Sequence, residues 1–219
     1  MIGTKVQLYG QIRDAAKYVD SFNEFLGTKS DVYISTWGPN DIRTRDGSHI
    51  QDSMTFDELY YKYKPKFLEL ERFNNPRTFN VLSPKAYDGT IADETVAQNV
   101  YYMFYKMYRV NKLSRSYYSK RVIRTRMDIE FVEPFPDIYP DYNEVYIPEG
   151  FDHRGGYNDL LCIADNYTMN TIGNFFRFVE SKILSLEYHP ESMFRTFLEV
   201  EGLTVKRFPL KYKFKGALI

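Results

Sequence analysis

Lys5-Val-Gln-Leu-Tyr9, closed by Gly10, alternates in strand fashion, and a helical pattern follows it directly. From Asp14 onward Ala15, Val19, Phe22 and Leu26 recur at i, i+4, i+7 and i+11, and Gly27 closes the helix. Asp31-Val-Tyr-Ile-Ser-Thr36 is a second strand, broken by Trp37-Gly38-Pro39. Strand, helix and strand within about 35 residues make a βαβ unit, the opening of an α/β fold with parallel strands.

The rest of the chain keeps this alternation. Phe56 to Tyr63 suits a short helix, and Lys66-Phe-Leu-Glu-Leu-Glu-Arg72 a third strand. Residues 74–89 carry Pro76 and Pro84 and read as a long surface loop, a kind of segment that often carries function. Thr90 and Asp93 resemble a capping box ahead of the clearest helix. Its apolar stripe is Val96, Val100, Met103, Phe104 and Met107, with Asn99, Lys106 and Arg109 on another flank. Arg121 to Phe131 reads as one strand, ended by Glu133-Pro-Phe-Pro136. Asn143 to Ile147, Leu160 to Ala164 and Thr204 to Phe208 are further strands. Phe175 to Leu186 and Pro190 to Val200 are helices, the second opening on proline. No repeat or linker interrupts the pattern, so residues 1–219 are predicted to be one domain. The basic end (Lys206, Arg207, Lys211, Lys213, Lys215) carries no punctuating signal, which the first domain of a longer protein would also show.

Composition narrows the function. Lys plus Arg and Asp plus Glu are equal at 29 each, so no global field draws the chain to nucleic acid or an anionic membrane. The longest apolar run, Val100 to Tyr105, is far too short to span a bilayer, and the N-terminus lacks a signal-peptide apolar stretch. The single cysteine, Cys162, excludes an internal disulfide and a Cys-rich zinc site; its apolar neighbours mark it as an inert core thiol. A cytoplasmic monomer is expected. Aromatic residues make up 17%, and their spread along the whole chain favours a Tyr-rich core over a dedicated stacking surface.

Arg124-Thr-Arg-Met-Asp128-Ile-Glu130 is the stretch richest in chemistry. In a strand, residues two apart share a face, so Arg124, Arg126, Asp128 and Glu130 point one way. Two guanidiniums suit phosphate and two carboxylates suit a hard divalent cation, the needs of a diphosphate–metal complex. The plain alternative is a solvated strand face with cross-strand ion pairs.

The order of these pieces carries a resemblance. Gln7-Leu-Tyr-Gly-Gln11-Ile-Arg13, Val32-Tyr-Ile-Ser-Thr36-Trp37, the Asn99 to Arg109 helix, Val122-Ile-Arg-Thr-Arg-Met-Asp128 and Gly156-Tyr-Asn158-Asp159-Leu together resemble nucleotide-sugar glycosyltransferases of the GT-A type, above all the compact ones encoded by large chlorella viruses. The resemblance covers most of the chain, and Arg-Thr-Arg-Met-Asp is its most specific element. One departure stands out. The family's metal signature is Asp-x-Asp, whereas this chain has Asp128-Ile-Glu130; either Glu130 replaces the second carboxylate or Asp128 binds the metal alone.

The resemblance implies a GT-A fold, a mixed central sheet with a Rossmann-like N-terminal half flanked by helices. It also implies a nucleotide-sugar donor, UDP-linked, with Mn²⁺ or Mg²⁺ and a glycan or glycoprotein acceptor. A viral capsid glycan built in a host cytoplasm would be the setting. Gly10, Gln11, Arg13, Thr36, Trp37, Asn99 and Arg126 would lie on the donor side, and Asp128, with or without Glu130, on the metal. Asp159 would be the acceptor-side group or general base, and Asn158 would bond sugar hydroxyls; Asp165 is a further candidate. A late histidine completes the metal shell in some such enzymes, and His153 and His189 are the two placed late enough; a lone loop histidine is more often simply solvated. Retaining and inverting outcomes both stay open. Two rivals remain: a metal-dependent phosphohydrolase or nuclease, and a non-catalytic carbohydrate-binding protein.

Overall fold

The opening βαβ unit forms as its pattern predicts, with β1 at Thr4–Gly10, α1 at Ala15–Phe25 and β2 at Ser30–Trp37. The computed structural model describes residues 3–12, 15–38, 54–71, 94–182, 189–214 and 217–218. Next come α2 (Phe56–Tyr63), β3 (Phe67–Glu71), α3 (Glu94–Ser114) and β4 (Arg121–Arg126). The chain continues through β5 (Ile129–Phe131), β6 (Glu144–Pro148), β7 (Leu161–Ala164), α4 (Asn166–Ile172) and α5 (Phe175–Lys182). It closes with α6 (Pro190–Val200), β8 (Thr204–Phe208), β9 (Tyr212–Phe214) and β10 (Ala217–Leu218).

Seven strands form one mixed sheet in the order β3-β2-β1-β4-β7-β6-β8, with β7 alone antiparallel to its neighbours. Strand periodicity divides its residues between two cores. Val6, Leu8, Val32, Ile34, Ile123 and Ile163 pack with Ala15, Val19 and Phe22 of α1. Tyr9, Tyr33, Trp37, Val122, Val145 and Cys162 pack with α3, α5 and α6 on the opposite face. β10-β9-β5 form a separate antiparallel sheet. Among the described residues, no helix is long and apolar enough to cross a membrane.

Three expectations need correction. The single strand expected over Arg121 to Phe131 is two. β4 stops at Arg126, where its pairing with Tyr9 of β1 ends, and β5 turns away to pair with β9. Ile129 and Phe131 join the α1-side core, and the Phe131 N–H donates to Ser21 Oγ at 3.2 Å. Asp165 is the N-cap of α4, an element the sequence reading did not contain; its carboxylate accepts from the Thr168 N–H at 2.6 Å. Arg124 lies neither on a solvated face nor at an open phosphate site. It is 1% exposed; its Nε donates to Gln7 Oε1 (2.9 Å) and its Nη2 to Asn111 Oδ1 (3.4 Å) and Met169 O (3.3 Å). Gln7 Nε2 donates onward to Asn111 Oδ1 and Ser114 Oγ, and Lys5 Nζ donates to Ser114 O and Asn166 Oδ1. A buried polar layer thus joins β1 and β4 to α3 and α4, and burial lowers the Lys5 ammonium to about 8.

Candidate functional site

Sheet topology gathers the chemistry at one edge. The parallel strands β1, β2 and β4 all end there, and the order turns back between β1 and β4. Crevices outside the carboxyl ends of strands at such a reversal are where open α/β sheets bind ligands. Because β7 runs the other way, it begins at this same edge, so the 149–160 connection from β6 crosses it. α6 precedes β8 and runs back across the sheet, which brings its N-terminus to the edge too.

Arg126 ends β4, and Asp128 folds back on it. Arg126 Nε donates to Asp128 Oδ1 at 2.8 Å and Nη2 to Oδ2 at 2.6 Å, a bidentate pair. The guanidinium lies 4.7 Å from the Phe214 ring centroid and donates from Nη1 to Met103 Sδ. Burial alone would weaken the charge on Arg126, but the charge and hydrogen bonds of Asp128 outweigh it and hold the guanidinium firmly protonated.

Asp159 stands just before β7. It is 6% exposed, and its Oδ2 has no hydrogen-bond partner. Its backbone carbonyl accepts from the Tyr9 hydroxyl at 2.7 Å, a phenol that burial keeps protonated. Burial pushes the Asp159 carboxyl up to about 6 against the opposing pull of Arg126. Glu191, in the first turn of α6, is also buried with an unpartnered Oε2, and burial with the charge of Asp159 raises it to about 7. His189 Nδ1 lies 3.0 Å from Glu191 Oε2, but without hydrogen-bond geometry, and burial keeps its imidazole below its ordinary value.

The connection holding Asp159 is fastened to α6. The Tyr157 N–H donates to Glu191 O at 3.1 Å and Arg195 Nη1 to Gly155 O at 2.8 Å. A Cβ on Gly156 would stand 2.1 Å from the Glu191 carbonyl carbon, so only glycine allows this approach. Phe151 and Arg154 adopt left-handed backbone (φ 58° and 51°), each a strained state at about 1–3 kcal/mol that the surrounding contacts must hold.

The expected site residues divide accordingly. Arg126, Asp128 and Asp159 meet at the edge. Gly10 ends β1 with φ 101°, nothing within 4 Å of a built Cβ, and its carbonyl accepting from Thr36 Oγ1 at 2.7 Å. Gln11 follows it, half-buried. Trp37 is buried, stacked on Tyr105 and edge-on to Tyr102, with Lys106 Nζ 3.9 Å from its ring centroid. Its indole is a core member. Asn158 is wholly buried: its amide donates to the Tyr212 hydroxyl and accepts from the Leu160 N–H, so it shapes the connection from within. Asn99 lies on α3. Arg13 and the Thr90–Asp93 cap lie outside the described residues.

Glu130 points to other work. Its carboxylate meets Lys213 Nζ at 3.1 Å across the small sheet, while Asp128 is held by Arg126. Among the described residues, no three His, Cys, Asp or Glu side chains form a group that could hold a metal ion. As arranged, Asp128 and Glu130 do not fit a two-carboxylate metal centre. Glu191 is the site residue that sequence reading missed; the one available signal was an acid directly after His189-Pro190 at a helix start.

No protein-family model matches the chain, and no curated protein matches it either.

Proposed function

We propose that this protein is a glycosyltransferase of the GT-A type that moves a sugar from a UDP-linked donor to a hydroxyl of a glycan or glycoprotein acceptor. The observation that carries this reading is Asp159, a buried carboxylate with a free Oδ2 beside the Arg126–Asp128 pair, at the edge where the strand order reverses. A carboxyl raised to about 6 is ionised at neutral pH yet basic enough to take a proton from a positioned hydroxyl. In the proposed step the bond from the sugar's anomeric carbon to the diphosphate oxygen breaks, and UDP leaves with the electron pair. A bond from the acceptor oxygen to that carbon forms, and the acceptor's proton passes to Asp159. Arg126 lends positive charge to the departing diphosphate. With Asp159 as base on the far side of the sugar, the outcome is inversion.

A divalent ion, Mn²⁺ or Mg²⁺, is a separate proposal that rests on the resemblance. When bound it would supply charge neutralisation at the diphosphate. Melting temperatures with UDP, GDP and other nucleotides, each with and without Mn²⁺, test both ideas. UDP at 100 times its Kd should add about 2.7 kcal/mol of stability. A UDP shift that needs Mn²⁺ supports the ion, and one indifferent to it removes the ion. No shift from any nucleotide under either condition, with no UDP released from any UDP-sugar, overturns the transferase.

A further inference from the structure

The amino ends of the parallel strands, opposite the candidate site, carry a surface of another kind. Equal totals of acid and base in the chain hide a local imbalance there. Lys29 leads into β2, Lys64 and Lys66 into β3 and Lys120 into β4, while Arg115 follows α3, which runs back to this edge. All of these side chains are exposed. Lys66 is paired with Asp31 at 2.7 Å, and Asp165, the other acid at these strand ends, is engaged in capping α4. Among the described residues, Lys29, Lys64, Arg115 and Lys120 find no hydrogen-bond or ion-pair partner for their side chains. Aromatic rings stand among them. Phe67 and Tyr117 lie 5.7 Å apart and both rest on the buried ring of Tyr33. Tyr118 comes next, 6.1 Å from Tyr167 in the first turn of α4. The four outer rings are between 43% and 60% exposed, too open to be core members. Their display is built in: the Tyr117 N–H donates to Ser114 O at 3.1 Å, and Ser119 Oγ donates to Gly3 O at 2.5 Å, which fixes the turn that presents Tyr117 and Tyr118.

We propose that this edge docks on an anionic phospholipid surface. Unpaired cations call for an anionic partner, and phenol rings suit the headgroup layer, where the ring meets apolar chains and the hydroxyl stays wet. The rings make no stacking platform. Phe67 and Tyr117 are tilted by 43° and Tyr118 and Tyr167 by 59°, so neither pair offers parallel faces to successive bases or pyranoses. A lipid interface needs only that rings and cations share one level, and the strand starts of a single sheet set that level. β1 spans seven residues, so the candidate site would stand about 20 Å from the lipid and face away from it. The docking is independent of the transferase reading, since no residue of the candidate site takes part.

Co-sedimentation of the full chain with vesicles tests this. Phosphatidylcholine vesicles holding about one third phosphatidylserine should retain the protein at low salt and release it as salt rises, and vesicles of phosphatidylcholine alone should not retain it. Each cation near such a surface contributes about fivefold to partition, so Arg115→Glu with Lys120→Glu should lower it at least about 25-fold. Tyr118→Ser with Tyr167→Ser should lower it as well, at unchanged charge. Lys211→Glu, ahead of β9 and at the other edge of the sheet, should bind like the wild type. Every position changed is exposed, so all three variants should melt with the wild type. No retention by the anionic vesicles at low salt overturns the proposal, and so does a loss in Lys211→Glu equal to that in the Arg115, Lys120 variant. Retention indifferent to the tyrosine changes overturns the part assigned to the rings. Binding to single-stranded RNA that these changes remove, with none to vesicles, would make the surface a nucleic-acid site and overturn the lipid one.

Discussion

Two buried polar clusters centre on residues two apart on β4, and they are built on different terms. Around Arg124, the amides of Gln7 and Asn111, the Ser114 hydroxyl and backbone carbonyls form a network of neutral partners that ties sheet to helix. Around Arg126 the partners are charged, and on Asp159 and Glu191 buried oxygens are left without a mate. The first cluster is an adhesive between elements. Each leaves some bonding capacity unmet, a donor nitrogen (Arg124 Nη1) in the first and one carboxyl oxygen each on Asp159 and Glu191 in the second, but only in the second are the unmet atoms those of acids. Removing a member should therefore harm different properties in the two places.

The largest expected effect is at Asp159. Asp159→Asn should slow transfer by about 10²–10⁴-fold, the range for loss of a general base. Donor affinity by calorimetry should hold, and thermal stability should not fall, because a buried acid without a partner is being neutralised. A normal rate would remove Asp159 from the mechanism. Next in size, Arg124→Met should cost about 3 kcal/mol in urea denaturation, since it strands the acceptors of Gln7 and Asn111 in the interior. Donor affinity per folded molecule should be unaffected; a stability unchanged from wild type would erase the contrast between the clusters.

A further effect is in the pH dependence of stability. Folding raises Asp159 to about 6 and Glu191 to about 7, above their ordinary values near 3.9 and 4.3. Between those limits the folded protein keeps protons that the unfolded chain has lost. The stabilising contribution is thus complete below about pH 4 and is lost as pH rises through 6 and 7. Compared with an Asp159→Asn, Glu191→Gln double variant, the wild type should lose stability more steeply as pH rises across that window. Parallel pH curves for the two proteins would mean that neither carboxyl is perturbed.

Local signals carried the first half of the molecule into view. The alternation of β1, the spacing of α1 and the stop at Trp37-Gly38-Pro39 each have one sensible reading, and all three agree with the fold. The face shared by Arg124 and Arg126 was legible as well, but burial was not: a period-two pattern is the same for a solvated face and for one covered by α3. The break after Arg126 was hidden because β5 continues the alternation of β4 while joining another sheet. Asp159 stood out in its Gly155-Gly156 turn. Glu191 did not, because an acid in the first turn of a helix is ordinarily explained by the helix dipole alone. Only the crossing of α6 over the sheet brings it beside Asp159.

The reversed strand has an architectural consequence. β6 and β7 pair as an antiparallel hairpin whose long tip spans the carboxyl edge, so its ends are fixed by their own ladder. Residues can be gained or lost within that tip without shifting the register of any strand. The half of the molecule from β1 to β4, which carries Gly10, Thr36 and Arg126, would keep its frame throughout. Such a layout separates inheritance from invention: one half keeps its frame, and the tip on the other can be recut.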